Sequence, residues 1–321
     1  MSGFTWPRRT RAGSGPSMHG MGLGIDAGGS QSRWALVGAD QAVVAEGSIT
    51  SFSALDLAGE AGQHKVSDIL EGLAREVSAY GPVIAAHAGI TGLGGLQDGA
   101  SQLLQALLLR QFNLAPGTVT LSNDIELACR AAFEPGMGYL IYAGTGSMAG
   151  FVDVNGAFHR AGGRGGILDD GGSGYWIAVA ALRHIWRAED EAPGCWIDSP
   201  MACALFDTIG GSDWALSRQL IYGASRGEIG QLALAVASAA DRDPVASTLL
   251  QSAGRELARL GNAMVRRFGV RPMVLAGRVP ELHRLIEISI REHLLPASDL
   301  RRVHLQAHLA AARMASRKAF P

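Results

Sequence analysis

Gly24-Ile25-Asp26-Ala27-Gly28-Gly29-Ser30-Gln31-Ser32 stands near the start of a 321-residue chain and reads as a strand that delivers an acid to a Gly-Gly turn, with hydroxyl-bearing residues behind it. Glycines without Cβ atoms let backbone N–H groups approach an anion closely. In such a turn Gly28, Gly29, Ser30 and Gln31 face phosphate oxygens, joined by the Ser32 hydroxyl, while Asp26 is placed to hold the water shell of Mg²⁺. The turn lacks the Gly-Lys-Ser/Thr ending of a P-loop. A plain hairpin explains the glycines, but not an acid at the end of a buried strand.

Working outward, residues 32–37 and 42–48 are rich in β-formers and closely linked to the first strand, 22–26, giving an antiparallel meander. Residues 57–79 carry Val66, Ile69, Leu70, Leu73 and Val77 at helical steps, an amphipathic helix. A strand over 83–88 runs into Gly-Ile-Thr-Gly-Leu-Gly-Gly, a helix follows over 101–112, and a strand over 118–122 ends at Asn123-Asp124. The order then begins again: a helix over 125–133, strands over 138–143, 147–153 and 157–160, a glycine loop, and a helix from Tyr175. Residues 199–268 are mostly helical, and Leu250, Ala253, Leu257, Leu260, Met264 and Phe268 form a core stripe. A buried strand over 272–276, a helix over 281–294 and an amphipathic stretch over 304–316 complete the chain. The near-repeat predicts an N-terminal domain over 21–120 and a C-terminal domain over 121–321, the last helix being able to cross back.

Four further segments carry candidate chemistry. Tyr139-Leu140-Ile141-Tyr142-Ala143-Gly144-Thr145-Gly146-Ser147 repeats the strand-and-glycine-turn device, so that two hairpins, one per domain, grip nucleotide phosphates from both sides. Between them, the Asp124 carboxylate suits the acceptance of a proton from an attacking hydroxyl; a helix cap at Asn123-Asp124 explains the same residues. The run from Gly162 to Trp176 sets Asp169 and Asp170 in a glycine loop that enters a helix, where acids accept hydrogen bonds from vicinal sugar hydroxyls and helix-start amides donate. The spacing of an EF-hand is absent there. Finally, Met273-Val274-Leu275-Ala276-Gly277 is a strand ending in glycine, against which a flat adenine has room to lie.

Composition narrows the classes. Hydrophobic residues make up 47%, charged residues 18%, and the formal net charge of −1 gives no electrostatic pull toward nucleic acid or anionic lipid. The 43 glycines, about twice ordinary usage, gather in 22–29, 89–99, 136–150 and 162–174. Cys129, Cys195 and Cys203 form no CxxC pair, which indicates neither a disulfide framework nor zinc and fits a reducing cytoplasm. No apolar run has the length of a membrane span. Residues 1–20 are basic and Gly/Ser-rich without an apolar h-region, the pattern of a disordered extension or of a start at Met18 or Met21.

These five segments, in this order, resemble the phosphate-1, connecting, phosphate-2, sugar-loop and adenosine segments of the N-acetylglucosamine kinase branch of the BadF/BadG/BcrA/BcrD ATPase family, within the sugar kinase, chaperone ATPase and actin superfamily. The resemblance covers about residues 21–315. It implies an α/β fold of two ribonuclease-H-like, actin-like ATPase domains with an interdomain nucleotide cleft, and transfer of the γ-phosphoryl group of ATP to the 6-hydroxyl of an amino sugar. Carried over, it makes Asp26 the Mg²⁺-associated acid and Asp124 the general base. Gly28 to Gln31 and Gly144, Thr145, Gly146 and Ser147 become phosphate hairpins, and Gly277 an adenosine contact. Asn123, Gly163, Asp169, Asp170 and Ser173 become the sugar side. The implied partner is a small sugar, with no nucleic acid and no membrane, in a cytoplasmic protein for which a homodimer is compatible.

The chain departs from the family pattern in its sugar loop. Asp169-Asp170-Gly171-Gly172-Ser173 stands where Gly-Asp-Glu-Gly-Ser is usual, Gln31 replaces a basic residue, no asparagine follows the third strand within 48–55, and Gly277 is followed by Arg278 rather than glycine. The same family contains ATPases that activate a partner enzyme through an iron-sulfur cluster, but the second hairpin turn here has no cysteine. A non-catalytic sugar or nucleotide sensor is a third reading, although the chain offers no helix-turn-helix.

Overall fold

A computed structural model describes residues 20–28, 32–94, 98–295 and 299–320. The chain divides into two compact units, one built from the chain up to Leu127 together with the segment from Gln306 onward, the other from Ala128–Leu305.

In the first unit β1 (Met21–Ala27), β2 (Ser32–Val37) and β3 (Val43–Ile49) form the expected meander. After a short 3-10 turn come α1 (Glu60–Ser78), β4 (Val83–Ile90), α2 (Gly99–Gln111), β5 (Val119–Asn123) and α3 (Asp124–Ala132). The sheet order is β3-β2-β1-β4-β5, antiparallel among the first three strands and parallel from β1 through β4 to β5. Alternation splits β1 cleanly: Met21, Leu23, Ile25 and Ala27 pack with Val66, Leu70, Leu73 and Val77 of α1, all buried, while Gly22, Gly24 and Asp26 face the other way. The helix expected over 57–79 is interrupted at Gly59, whose backbone is extended; the Asp56 carboxylate accepts from the Ser53 N–H at 2.7 Å and closes the 3-10 turn ahead of it.

The second unit contains β6 (Tyr139–Ala143), β7 (Ser147–Val152), β8 (Phe158–Gly162) and α4 (Gly174–Glu191). These lead into α5 (Pro200–Ile209), α6 (Trp214–Gly223), α7 (Arg226–Gln231), α8 (Ala233–Ala239), α9 (Pro244–Phe268), β9 (Met273–Ala276), α10 (Val279–Leu282), α11 (Arg284–His293) and β10 (Leu300–Arg302). The sheet order β10-β9-β6-β7-β8 reproduces the first sheet strand for strand, with β6 antiparallel to β7 and parallel to β9. The α9 stripe is core as expected, with Leu250, Ala253, Leu257, Leu260 and Met264 buried and Phe268 packed at its margin. The helix expected over 281–294 is two helices, because His283 is extended and its Nδ1 accepts from the Leu285 N–H at 3.3 Å as a cap.

The last helix, α12 (Ala307–Ala319), packs on β1, β2 and β4 of the first sheet, so the C-terminal segment does not stay with the 121–321 domain expected from the repeat. Gly22 and Gly24 make this possible. A Cβ on Gly24 would lie 2.1 Å from the His308 carbonyl oxygen, and one on Gly22 would lie 2.3 Å from the Ser316 nitrogen. The helix backbone therefore rests directly on bare strand. Leu309 and Ala312 join Ala35 and Val37 in a small core, and the Ser316 hydroxyl donates to the Gly38 carbonyl at 2.8 Å. The glycines at 22 and 24 thus admit a helix against the strand.

Candidate functional site

In the first unit the site is built from strand ends. β1 carries Asp26 to its penultimate position, and the antiparallel register sets Arg33 of β2 directly opposite on the same face. Desolvation pushes the Asp26 pKa up to about 6; the nearby Asp124 carboxylate adds to the rise and Arg33 opposes it. Gly28 follows, half-buried, at the start of the turn, whereas Gly29, Ser30 and Gln31 lie outside the described residues.

Asp124 opens α3. Its Oδ2 accepts a hydrogen bond from the Thr91 hydroxyl at 2.6 Å, and its Oδ1 accepts from the Ile125 N–H at 2.9 Å. Burial raises its pKa, and the bonds from Thr91 and Ile125 act against that rise. The cap explanation applies to Asn123: its Oδ1 also accepts from the Ile125 N–H at 2.9 Å, and its amide nitrogen reaches the Leu93 carbonyl at 3.5 Å. Both ends of the Asn123 amide are thus engaged within the protein, which leaves it a staple where a sugar contact was expected. Two carboxylates in electrostatic contact, one bonded by a hydroxyl, form the candidate centre of this unit.

In the second unit the β6–β7 turn leaves Gly144, Thr145 and Gly146 partly exposed. Ser147 does not share that exposure: it is buried and its hydroxyl donates to the Gly171 carbonyl at 2.7 Å, so it ties the turn to the following loop and its side chain cannot hold a phosphate. The Gly174 N–H donates to the Gly144 carbonyl at 2.9 Å, so hairpin and loop are tied at two points. Gly163 continues the link through its N–H to the Ser147 carbonyl at 3.0 Å.

The two loop acids are directed apart. Asp170 is buried, adopts a φ of 61°, pairs with the Arg226 guanidinium, and has an oxygen 3.0 Å from where a Cβ on Gly146 would stand. Asp169 instead accepts from the Gly171 N–H at 3.1 Å and meets Arg259 at 3.3 Å. With Glu256 and Arg183 it lines a surface cavity of about 350 Å³ on the outer side of the loop. The expectation that both acids bind one sugar is corrected by this geometry, since Asp170 alone abuts the hairpin. Ser173 is also corrected: it has no exposed surface, and its oxygen accepts from the Trp176 N–H at 3.1 Å, making it the cap of α4. Gly277 has a φ of 98°, and a Cβ there would lie 2.2 Å from the Ala143 carbonyl oxygen. Only glycine lets β9 turn that close to the end of β6.

Three residues that neighbour the candidate acids escaped the sequence reading. Thr91 sits in the quoted Gly-Ile-Thr-Gly-Leu-Gly-Gly run, where a hydroxyl among glycines after a strand was the available signal. Arg33 was recoverable from the register about the first turn, since it pairs with Asp26. Arg226, 56 positions from Asp170 in sequence, gave no local sign. Among the described residues no group of three or more His, Cys, Asp or Glu side chains is placed to hold a metal ion, and no helix is long and apolar enough to cross a membrane.

Comparisons with known proteins agree with this architecture. A candidate N-acetylglucosamine kinase from Chromobacterium violaceum superposes with a TM-score of 0.71 at 23% identity, over 93% of this chain and 99% of that one. A candidate N-acetylglucosamine kinase from Porphyromonas gingivalis gives 0.72 at 15% identity, over 92% and 98%. A ROK family glucokinase from Streptomyces griseus, solved with glucose and AMPPNP, gives 0.57 at 17% identity, over 93% and 99%. These likenesses establish the fold, two ribonuclease-H-like halves of the actin-like ATPase type. In sequence, the chain is 33% identical over 75 residues to an N-acetylmuramic acid/N-acetylglucosamine kinase of Clostridium acetobutylicum, a match spanning 23% of this chain and only 24% of that kinase. The duplicated β-sheet order, the two strand-and-glycine turns and a family match over residues 23–293 lead to one assignment: the chain belongs to the BadF/BadG/BcrA/BcrD ATPase family.

Proposed function

We propose that the protein is an ATP-dependent kinase that phosphorylates the 6-hydroxyl of an amino sugar, N-acetylglucosamine or glucosamine. The observation that carries this reading is Asp124, a desolvated carboxylate at the head of α3 whose raised pKa and fixed orientation suit proton acceptance. The kinase names among its relatives supply the substrate class.

In this reading the sugar hydroxyl gives its proton to an Asp124 oxygen as its own oxygen bonds to the γ-phosphorus. The bond from that phosphorus to the β–γ bridging oxygen breaks and ADP leaves. Phosphoryl transfer asks little of the protein beyond such positioning and charge neutralisation. Gly28 and the N–H groups of Thr145 and Gly146 are the phosphate side of this reading, the Gly144 N–H being taken by the Gly146 carbonyl at 2.9 Å, while Gly277 borders the adenosine and Asp170 takes the sugar hydroxyls. Asp26 fits Mg²⁺: a desolvated carboxylate with Asp124 close by suits an ion that keeps most of its waters and is otherwise held by substrate phosphates. When bound, the ion neutralises charge on the phosphates. Arg33, opposite Asp26, returns a positive charge to a segment where Gln31 lacks one.

The test is ADP release in the presence of ATP and Mg²⁺ against a panel of hexoses and hexosamines, with Asp124→Asn as control. A hexosamine-stimulated signal that disappears in the variant is expected, with the phosphorus–proton coupling of the product locating the ester at C6. ATP binding without stimulation by any sugar would sink the kinase reading.

A further inference from the structure

The geometry points to Thr91 as the positioning residue of the catalytic base, an inference that rests on the kinase reading of Asp124. Thr91 lies one residue beyond β4 and joins three segments. Its N–H donates to the Ala27 carbonyl at 2.9 Å, its carbonyl accepts from the Ala54 N–H at 2.9 Å, and its hydroxyl donates to Asp124 Oδ2 at 2.6 Å. The residue bonded at Ala27 immediately follows Asp26, so Thr91 links the strand end bearing one acid to the other acid itself. Its backbone is fixed from both sides, which fixes in turn the point from which its hydroxyl projects.

The consequence for the carboxylate is geometric. A carboxylate has about four lone-pair positions on its two oxygens, and here the Ile125 N–H occupies one on Oδ1 and Thr91 one on Oδ2. Held at both oxygens, the group cannot rotate in its plane, and the unoccupied lone pairs set the direction from which a hydroxyl must arrive. A bond of 2.6 Å falls in the range of charge-assisted O–H···O⁻ bonds, roughly twice as strong as neutral ones. Valine keeps the β-branched shape at position 91; only threonine adds the donor.

The test compares Thr91→Val, Thr91→Ser and Asp124→Asn, alone and combined, by steady-state kinetics with the acceptor sugar and by thermal unfolding. Misplacing a reacting group by about 1 Å costs up to roughly 100-fold in rate, so Thr91→Val is expected to lower kcat by about 10- to 100-fold, with the KM for ATP held within about twofold. Thr91→Ser, which keeps the hydroxyl, restores most of the loss. Because both residues act through one group, Thr91→Val combined with Asp124→Asn is no slower than Asp124→Asn alone. Wild-type kcat in Thr91→Val, failure of Thr91→Ser to rescue, or multiplicative losses in the double variant would each overturn the inference. Full activity in Asp124→Asn would instead overturn the reading of the base. Should Thr91→Val not fold, Thr91→Ala against Thr91→Ser gives the same contrast.

Discussion

Replacing Asp26 by asparagine is expected to make the protein more stable and less active at once. The rise of the Asp26 pKa from the ordinary 3.8 to about 6 means that its ionised form is disfavoured in the folded chain, first by desolvation and then by the Asp124 charge. At 1.36 kcal/mol per tenfold change in proton affinity, that rise costs about 3 kcal/mol of stability wherever the group is ionised in both states. The direction follows from proton uptake. Between the two pKa values the folded chain holds the proton and the unfolded chain does not, so stability climbs as the pH falls from about 6 toward 3.8, and above about 6 the full cost is present. Asp26→Asn removes it. The assay is urea unfolding of both proteins from pH 4.5 to 8 with chelator present, reading the difference in unfolding free energy. The variant should lead by about 3 kcal/mol at pH 7.5, with the lead shrinking through pH 5. His308 runs the other way, since burial lowers its pKa and acidification below 6.5 costs stability, but it is common to both proteins and cancels in the difference. A lead that is absent, or constant with pH, would refute the electrostatic account.

Two other perturbations probe the frame around the site. Gly24→Val would drive a side chain into the His308 carbonyl and the α12 backbone; because backbone must yield, a loss of about 3 kcal/mol is expected, at the upper end for overpacking. An unchanged denaturant midpoint would show that α12 does not rest on β1. Arg226→Ala leaves the buried Asp170 carboxylate without its partner. Breaking a fully buried pair costs about 3–5 kcal/mol, and with half of the Arg226 side chain in water the expected loss is about 2 kcal/mol. The KM for the acceptor sugar should also rise, since Asp170 takes the sugar hydroxyls in the proposed function; Arg226→Lys should recover part of both effects, and wild-type values in Arg226→Ala would remove Arg226 from the site.

Legibility in the sequence followed the range of the physics. The α1 and α9 stripes and the β1–β3 meander were readable because periodicity is a local signal, and the stripe positions are buried apart from Ile69 and Phe268, which pack at the core margins. Helix interruptions at Gly59 and His283 were not, because the apolar pattern runs on across both and only backbone angles break it. β10 escaped because Leu300-Arg301-Arg302 is three residues long with a single buried position; its strand identity comes from pairing with β9. At the site, acids at strand ends announced Asp26 and Asp124. The partners that decide their chemistry, Thr91 and Arg33, are set by register and by a turn. Ser147 and Ser173 were misread for one reason: a hydroxyl beside glycines reads as a ligand contact, and only burial shows it spent on the Gly171 carbonyl or the Trp176 N–H.

The repeated strand order gives each unit the same framework, yet the charges set on it are arranged in opposite senses. In the first unit burial raises the pKa of both Asp26 and Asp124, with the Asp124 charge adding to the Asp26 rise and Arg33 opposing it, so both carboxylates hold protons more tightly than usual. Two such carboxylates suit a cation and a proton in flight, the positive species of the phosphoryl transfer proposed above. In the second unit the acid beside the turn, Asp170, is matched by Arg226, and the turn itself presents backbone from Gly144 to Gly146 with Ser147 directed inward. A neutralised acid beside the turn suits an anion, which an unpaired carboxylate would repel. One fold, used twice, thus provides a carboxylate-rich end and an anion-tolerant end, and the difference rests on a few side chains that the shared strand order does not dictate.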